Sequence, residues 1–515
     1  MKLTILSTSD THGYIEPTNY IKKNSQMNFG LEKAATTINK IKQNNPYTIT
    51  IDNGDFLEGS PLAYYLAKVN QPNSPKPLSD AFNQINYDFG IIGNHEFNYG
   101  INYLNSAIST SKRQFLCANI LKNNKPCFGL PYQIKIINNV KVAVIGLTTQ
   151  GVCKWQNNDL LNGLSIKSGV DTLKKYLPEM KQKADVIIVS YHGGLERDAD
   201  GHEIEDLNGE NEGYQILKEF PEIDALVTGH QHRKIADKLF NTPYTQPGKR
   251  GEYIGQIDLE IEKDNGIYQV INSDCKLVNT GQETENLNIK KQIKPIHDQL
   301  EEWLSMPLAV INGSMKYDDP FKARLQGNAF INFVQKIQMK TMKVDISATA
   351  LFTNEAYGFE NPITMRNIMT NYIYPNSLAT LKITGQDLKD AIEKSSNYFI
   401  VENDKIKVNP DYIYPKRRDY NYDMFAGVEY TLKISNPIGQ RVIELLYHGK
   451  PIEMNQEYKI ALNAYRAVGG KRYPMYNESK IINQNPITMS QLIADYLRKN
   501  KLIDADNQSN FKIIK

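Results

Sequence analysis

The chain has 515 residues, 40% hydrophobic and 23% charged, with a formal net charge of +3. That length exceeds one compact core and predicts two or three domains. The near-neutral charge argues against a polymeric nucleic acid or a polybasic membrane patch as partner, and no run reaches the ~18 apolar residues of a membrane span.

Met1 and Lys2 lead directly into Leu3-Thr4-Ile5-Leu6, a first strand with no apolar leader or small-residue cleavage site before it. The expectation is a cytoplasmic form, or a mature chain whose leader has been removed; oligomeric state is left open. Further β-branched runs at 47–51, 89–92, 140–147, 186–189 and 225–227 predict strands. Between the first two strands, Leu31, Ala35, Ile38 and Ile41 recur at helical spacing. This alternation over the first ~285 residues marks an α/β region.

Ile289, Ile293, Ile296, Leu300 and Trp303 predict a helix over 287–305, kinked or shortened at its start by Pro295. It reads equally as a connector or as the first helix of a second domain. From 313 onward the chain turns rich in Tyr, Asn and Pro, as in Tyr372-Ile373-Tyr374-Pro375-Asn376 and Tyr412-Ile413-Tyr414-Pro415, predicting ordered loops with aromatic faces. Helical patterns return at 328–338, 385–395 and 489–497. Cys117, Cys127, Cys153 and Cys275 form no CxxC pair, so free thiols are expected rather than a zinc ribbon or a disulfide framework.

The candidate chemistry lies just past the predicted strands. Asp10 and His12 fall in Ser9-Asp10-Thr11-His12-Gly13, and Asp55 in Asn53-Gly54-Asp55. Asn94 and His95 fall in Gly93-Asn94-His95-Glu96, His192 in Ser190-Tyr191-His192-Gly193-Gly194, and His230 and His232 in Gly229-His230-Gln231-His232. Carboxyl ends of strands are where α/β sheets build sites. Any one such Asp or His suits a structural role such as a helix cap, but these motifs hold five of the eight histidines. Two divalent ions about 3.5–4 Å apart clamp a phosphate and activate water for in-line attack. Carboxylate, imidazole and amide donors without cysteine suit Mn, Fe, Zn or Co, and the adjacent glycines allow close backbone approach.

The ordered series DxH, GD, GNHE, H and GHxH resembles the calcineurin-like metallophosphoesterases. The resemblance implies an α/β architecture: a metallophosphoesterase domain over 1–286 (a β-sandwich flanked by helices), a linker helix over 287–312, and a C-terminal α/β domain of the 5′-nucleotidase type over 313–515. It implies two divalent ions, one held by Asp10, His12, Asp55 and His232, the other by Asp55, Asn94, His192 and His230. Asp55 would bridge them, and His95 would sit beside the phosphate, stabilising the transition state or assisting the leaving group. One departure stands out. Where relatives with GNHEFD place an aspartate behind this histidine, the chain has Asn98, which orients an imidazole but does not stabilise its cation.

In the second half, Asn463-Ala464-Tyr465-Arg466-Ala467-Val468-Gly469-Gly470 is similar to the NxYRAxGG loop of bacterial 2′,3′-cyclic-nucleotide 2′-phosphodiesterase/3′-nucleotidases. Asp319-Pro320-Phe321, Pro362-Ile363-Thr364-Met365-Arg366-Asn367, and Tyr420-Asn421-Tyr422-Asp423 with Gly427-Val428 fit the same branch. The GGxR segment of plain 5′-nucleotidases is absent near 350–360. The resemblance implies that Tyr465 forms one wall of a base sandwich. Tyr420, Tyr422 and Phe425 compete for the opposite wall, with Tyr422 preferred, and Arg466 is read either as a phosphate or ribose contact or as a surface arginine. It also implies that the two domains act together on a small nucleotide. The activity expected is hydrolysis of 2′,3′-cyclic nucleotides and 3′-nucleotides. The alternatives are a 5′-nucleotidase or nucleotide-sugar hydrolase, a catalytically silent nucleotide-binding protein, and a DNA-processing nuclease, the last disfavoured by charge.

Overall fold

The computed structural model describes all residues except 156–160, 162, 375, 415–416 and 470–472. Pro375, Pro415 and Gly470 of the segments quoted above therefore lie outside the described residues. The chain divides into two compact units, Met1–Leu300 and Glu301–Lys515.

The first unit is a sandwich of two six-stranded sheets. In chain order the strands of these two sheets are β1 (Lys2–Thr8), β2 (Thr48–Asp52), β3 (Phe89–Ile91), β4 (Gln114–Leu116), β5 (Tyr132–Ile137), β6 (Val140–Thr148), β7 (Val186–His192), β8 (Ala225–Val227), β9 (Lys234–Leu239), β10 (Thr242–Pro247), β11 (Tyr253–Asp264) and β12 (Ile267–Asn279). One sheet has the order β12-β11-β1-β2-β3-β4 and the other β9-β10-β8-β7-β6-β5. Strands β1 to β4 run parallel, as do β6, β7, β8 and β10, with antiparallel strands completing each sheet.

Side-chain alternation explains the layering. Val142 and Val144 of β6 face Leu3, Ile5, Ile49 and Ile51 of the opposing sheet. Ala143, Ile145 and Leu147 pack the other way, with helices α2 (Gly169–Lys183) and α3 (Gly213–Glu219) supplying Val170, Leu173, Leu177, Ile216 and Leu217. A strand covered on both faces is apolar throughout, which is why 140–147 reads as one continuous run. Helix α1 (Leu31–Asn44) buries Leu31, Ala34, Ala35 and Ile38.

The predicted helix at the domain junction runs Leu287–Leu304, with Pro295 inside it. Proline does not shorten it, because a buried stripe of Ile289, Ile293, Leu300 and Leu304 holds the helix on both sides of the ring. The boundary between the two units falls within this helix. Among the described residues, no helix is long and apolar enough to cross a membrane.

The second unit centres on a five-stranded sheet of β13 (Ile346–Ala350), β14 (Leu378–Thr384), β15 (Asp423–Ala426), β16 (Glu457–Asn463) and β17 (Ile481–Asn485), in the order β15-β13-β16-β14-β17. Helices Ala329–Met342 and Gly385–Ser396 are capped by Asn328 and Thr384. Several segments that carried the resemblance are structural in this unit. Asp319 caps the helix Pro320–Gln326, with Pro320 at its first turn. Thr364 and Asn367 form a capping box, and Arg366 makes a two-pronged ion pair with Glu301.

One buried acid is poorly accommodated. Glu32 of α1 is 1% exposed and neither carboxyl oxygen has a hydrogen-bond partner. Burial, with Glu16 and Glu285 adding negative charge and Lys290 opposing them, pushes its carboxyl up to about 8 from the ordinary 4.5. Folding therefore favours the protonated acid. Its contribution to stability is complete below about pH 4.5 and is lost as pH rises toward 8. The melting temperature of the wild type should fall more between pH 5 and 8 than that of Glu32→Gln, as followed by calorimetry. Parallel curves would remove Glu32 as the source.

Candidate metal centre

Because β1, β2 and β3 run parallel, and β7 and β8 likewise, the motif-bearing loops all leave from carboxyl ends of strands. Asp10 and His12 follow β1, Asp55 follows β2, and Asn94 and His95 follow β3. His192 is the last residue of β7, and His230 and His232 follow β8. The structure brings the seven expected metal ligands together. His192 Nε2 lies 3.2 Å from Asp55 Oδ2, 3.2 Å from Asn94 Oδ1 and 4.0 Å from Asp10 Oδ1. His232 Nε2 lies 3.4 Å from Asp10 Oδ1 and 2.9 Å from His12 Nε2. His230 Nδ1 meets Asn94 Oδ1 at 2.8 Å.

The backbone is unusual at these positions. Asp10, His12, Asp55, His230 and His232 have φ of 54°, 51°, 59°, 67° and 58°. The left-handed region costs a non-glycine residue about 1–2 kcal/mol, so five such residues around one point indicate that the fold gives up stability to aim their side chains. Two glycines make the crowding feasible. A Cβ on Gly93 would fall 2.2 Å from Asp55 Oδ1, and one on Gly229 would fall 2.1 Å from Ser9 Oγ and 2.8 Å from Asp10 Oδ2. The close approach these glycines serve is thus to the Asp55, Ser9 and Asp10 side chains themselves.

A second ring of contacts orients the donors. The Nδ1 atoms of His12 and His192 bond to the backbone carbonyls of Glu58 and Asn53, at 2.8 and 2.6 Å. With Nδ1–H donating to a carbonyl, Nε2 is the atom each ring presents to the centre. His230 is turned the other way: its Nε2 meets Glu210 Oε1 at 3.0 Å and Nδ1 faces inward. Glu96 accepts from the backbone N–H groups of Gly93, Asp55, Phe56 and Leu57, tying the GNHE loop to the GD loop.

The electrostatics are those of a cation site. Asp10 and Asp55 are 0% and 1% exposed. Burial disfavours charge on His192 and His95, yet the surrounding acids together outweigh it, Asp55 and Asp10 for His192 and Asp55 and Glu58 for His95, and lift them to about 10 and about 9. Burial likewise opposes charge on Asp55, but His192 and His95 hold its carboxyl well below the ordinary range. His12 is dominated by burial and falls to about 4, a neutral ring with a lone pair to offer. The negative potential that draws protons onto these imidazoles would equally draw a divalent ion. Paired donor atoms at 2.8–4.0 Å, all from carboxylate, amide and imidazole, fit such ions.

His95 lies beside the cluster, its side chain 30% exposed and its ring edge-on to His12 at 5.3 Å. Its backbone N–H donates to Asp55 Oδ1 at 2.8 Å. Its Nδ1 meets Glu58 Oε2 at 2.9 Å, and Asn98 Nδ2 lies 3.0 Å from the same atom. The sequence reading missed Glu58, Glu96 and Glu210. Glu96 stood inside a quoted motif, whereas Glu58 and Glu210 sit in loops with no periodic signal.

In the second unit, Tyr465 is 48% exposed and Tyr420 is partly exposed, edge-on to Tyr374 at 6.2 Å. The preference for Tyr422 is corrected. It is buried against Tyr398 and Phe399 at 5.1 and 5.0 Å, and its hydroxyl donates to the Arg324 carbonyl, so no free face remains. Phe425 is a fully buried residue of β15. Arg466 is neither a surface arginine nor a free phosphate contact. It is buried, with Nε 2.7 Å from Asp423 Oδ2, its guanidinium over the Tyr473 ring, and Nη2 donating to the Tyr420 carbonyl.

Residues 3–234 match the family model described as calcineurin-like phosphoesterase, and residues 310–478 that described as 5′-nucleotidase, C-terminal domain. A Staphylococcus aureus protein named as a candidate 5′-nucleotidase, solved with α-ketoglutarate, is 36% identical, with 100% of both chains covered and a TM-score of 0.93. The trifunctional nucleotide phosphoesterase YfkN of Bacillus subtilis is 27% identical over 99% of this chain, which spans 39% of that longer protein. The 2′,3′-cyclic-nucleotide 2′-phosphodiesterase/3′-nucleotidase of Haemophilus influenzae is 28% identical, over 96% of this chain and 84% of its own.

The crowding at Gly93 yields a test of the centre. Gly93→Ala should displace Asp55 and lower bound divalent metal after dialysis, as Asp55→Ala should, with both variants still folded by circular dichroism. Full metal stoichiometry by elemental analysis in both would take Asp55 out of the ligand set.

Proposed function

This chain belongs to the 5′-nucleotidase family of calcineurin-like metallophosphoesterases, and from that premise we propose that it hydrolyses 2′,3′-cyclic nucleotides and 3′-nucleotides. The observation that carries the phosphoesterase reading is the convergence of Asp10, His12, Asp55, Asn94, His192, His230 and His232, five of them on left-handed backbone. The name of the Haemophilus relative supports the cyclic-nucleotide branch, and that of the Bacillus relative supports action on nucleotide phosphoesters. The Staphylococcus relative favours a second reading, a 5′-nucleotidase.

In the proposed site, Asp10, His12, Asp55 and His232 hold one divalent ion, and Asp55, Asn94, His192 and His230 the other; Mn, Zn, Fe and Co suit these donors. When bound, the ions supply Lewis acidity toward the phosphate oxygens and activation of water. The chain's own residues do the rest. Asp55 also holds the His95 backbone in register, and His95 hands a proton to the departing ribose oxygen or stabilises its charge. In the cyclic substrate the P–O2′ bond breaks, the water oxygen stays on phosphorus, and O2′ leaves as a hydroxyl. The second round breaks P–O3′ and releases nucleoside and phosphate. Tyr465 and Tyr420 are the aromatic faces proposed to take the base, and Arg466 holds the Tyr420 backbone in place.

A metal-reconstituted assay should rank 2′,3′-cyclic AMP and 3′-AMP above AMP in kcat/KM; the reverse order would select the 5′-nucleotidase reading. Tyr465→Ala should raise KM for nucleotides by about 5- to 150-fold, the equivalent of one base stack of ~1–3 kcal/mol. Turnover of 4-nitrophenyl phosphate, which has no base, should change little. An unchanged nucleotide KM would remove Tyr465 from the base site.

A further inference from the structure

His95 has two side chains aimed at one nitrogen. Glu58 Oε2 and Asn98 Nδ2 lie 2.9 and 3.0 Å from Nδ1, and Nδ1 makes one strong hydrogen bond in the ring plane. A carboxylate only accepts, so facing Glu58 the nitrogen must carry the proton and donate. An amide nitrogen only donates, and a donor cannot bond to an N–H that is already donating. The charged acceptor forms the stronger bond, so Glu58 decides the tautomer, and Asn98 serves the ring with its amide oxygen or as a packing neighbour.

Glu58 is well built for this. Its side chain is 6% exposed, whereas that of His95 is 30% exposed. It sits in the loop that carries Asp55, and its own carbonyl accepts from His12 Nδ1 at 2.8 Å. One residue thus fixes two rings: His12 through its backbone and His95 through its carboxylate. With Nδ1 committed to Glu58, the His95 Nε2 is the atom left to meet a substrate oxygen.

We propose that Glu58 is the positioning residue of His95, supplying from the Asp55 loop the carboxylate that Asn98 lacks three residues after the histidine. The assignment rests on the reading of His95 as the group beside the leaving oxygen.

The test uses the full-length, manganese-loaded protein and two aryl phosphates that differ in how much help the leaving group needs. Phenyl phosphate releases a poor leaving group and 4-nitrophenyl phosphate a good one. Glu58→Gln should lower kcat on phenyl phosphate by about 10- to 100-fold, within the range of acid–base assistance, and on 4-nitrophenyl phosphate by less than about threefold. KM and bound-metal stoichiometry should match wild type. Adding Asn98→Asp to Glu58→Gln should restore kcat on phenyl phosphate about tenfold, because it returns a carboxylate to the same nitrogen. If Glu58→Gln does not fold, Glu58→Asp, which keeps the charge but shortens the reach, should show the same leaving-group contrast. Equal losses on both substrates, loss of metal, or no rescue by Asn98→Asp would each overturn the proposal. A wild type that hydrolyses both aryl phosphates but no nucleotide would sink the substrate reading alone, and the Glu58 contrast would still be decided.

Discussion

The first unit is organised around the burial of two carboxylates at one edge of a sandwich. Asp10 and Asp55 are almost fully shielded from water, and an unpaired buried carboxylate costs several kcal/mol. The surrounding structure answers that charge from every side. The His230 backbone N–H points at Asp10, the His95 backbone N–H at Asp55, and the imidazoles of His192 and His232 close the ring. A helix dipole or a single arginine would neutralise such charge with less distortion. Five left-handed residues, in loops from both sheets, instead leave the carboxylates open toward a shared point.

Holding that arrangement falls to groups one layer out. Glu96 gathers four backbone N–H groups, Asn53 takes the Ser190 hydroxyl on its side chain and His192 on its carbonyl, and Glu210 turns His230 so that Nδ1 faces in. Glu96 and Asn53 each bind a loop of one motif to a loop of another. The behaviour of the centre is therefore a property of the assembled strand ends. Ring orientation and tautomer are set here before any substrate arrives.

The second unit follows a different physical logic. Its polar anchor is the buried Arg466–Asp423 pair, roofed by Tyr473, which itself stacks on Tyr476 with rings 4° from parallel. Burying a guanidinium is tolerable because Asp423, Asn421 and the Tyr420 carbonyl meet its donors. That pair ties the segment bearing Tyr420 to the helix turn bearing Tyr465, and leaves those two rings with accessible faces while Tyr398, Tyr422 and Phe399 form the core beneath.

Much of this was legible in the order of residues. Buried parallel strands are apolar on both faces, so 140–147 and 186–189 announce themselves. Ligand-type side chains beside glycine at successive strand ends point to one rim, because parallel strands share a carboxyl end. Direction and partnership in irregular loops were not legible. Tyr420, Tyr422 and Phe425 are equivalent as letters, and only packing against Tyr398 and Phe399 removes Tyr422 from reach. Arg466 reads as a surface or phosphate-binding charge until Asp423, 43 residues earlier, is seen against it. Glu58 lies 37 residues before His95 in a loop without periodicity, so Asn98 looked like a missing carboxylate until the fold placed one from elsewhere. Local pattern carries periodicity and strand ends; which loop side chain meets which is decided by contacts between distant segments, and only the tertiary structure contains them.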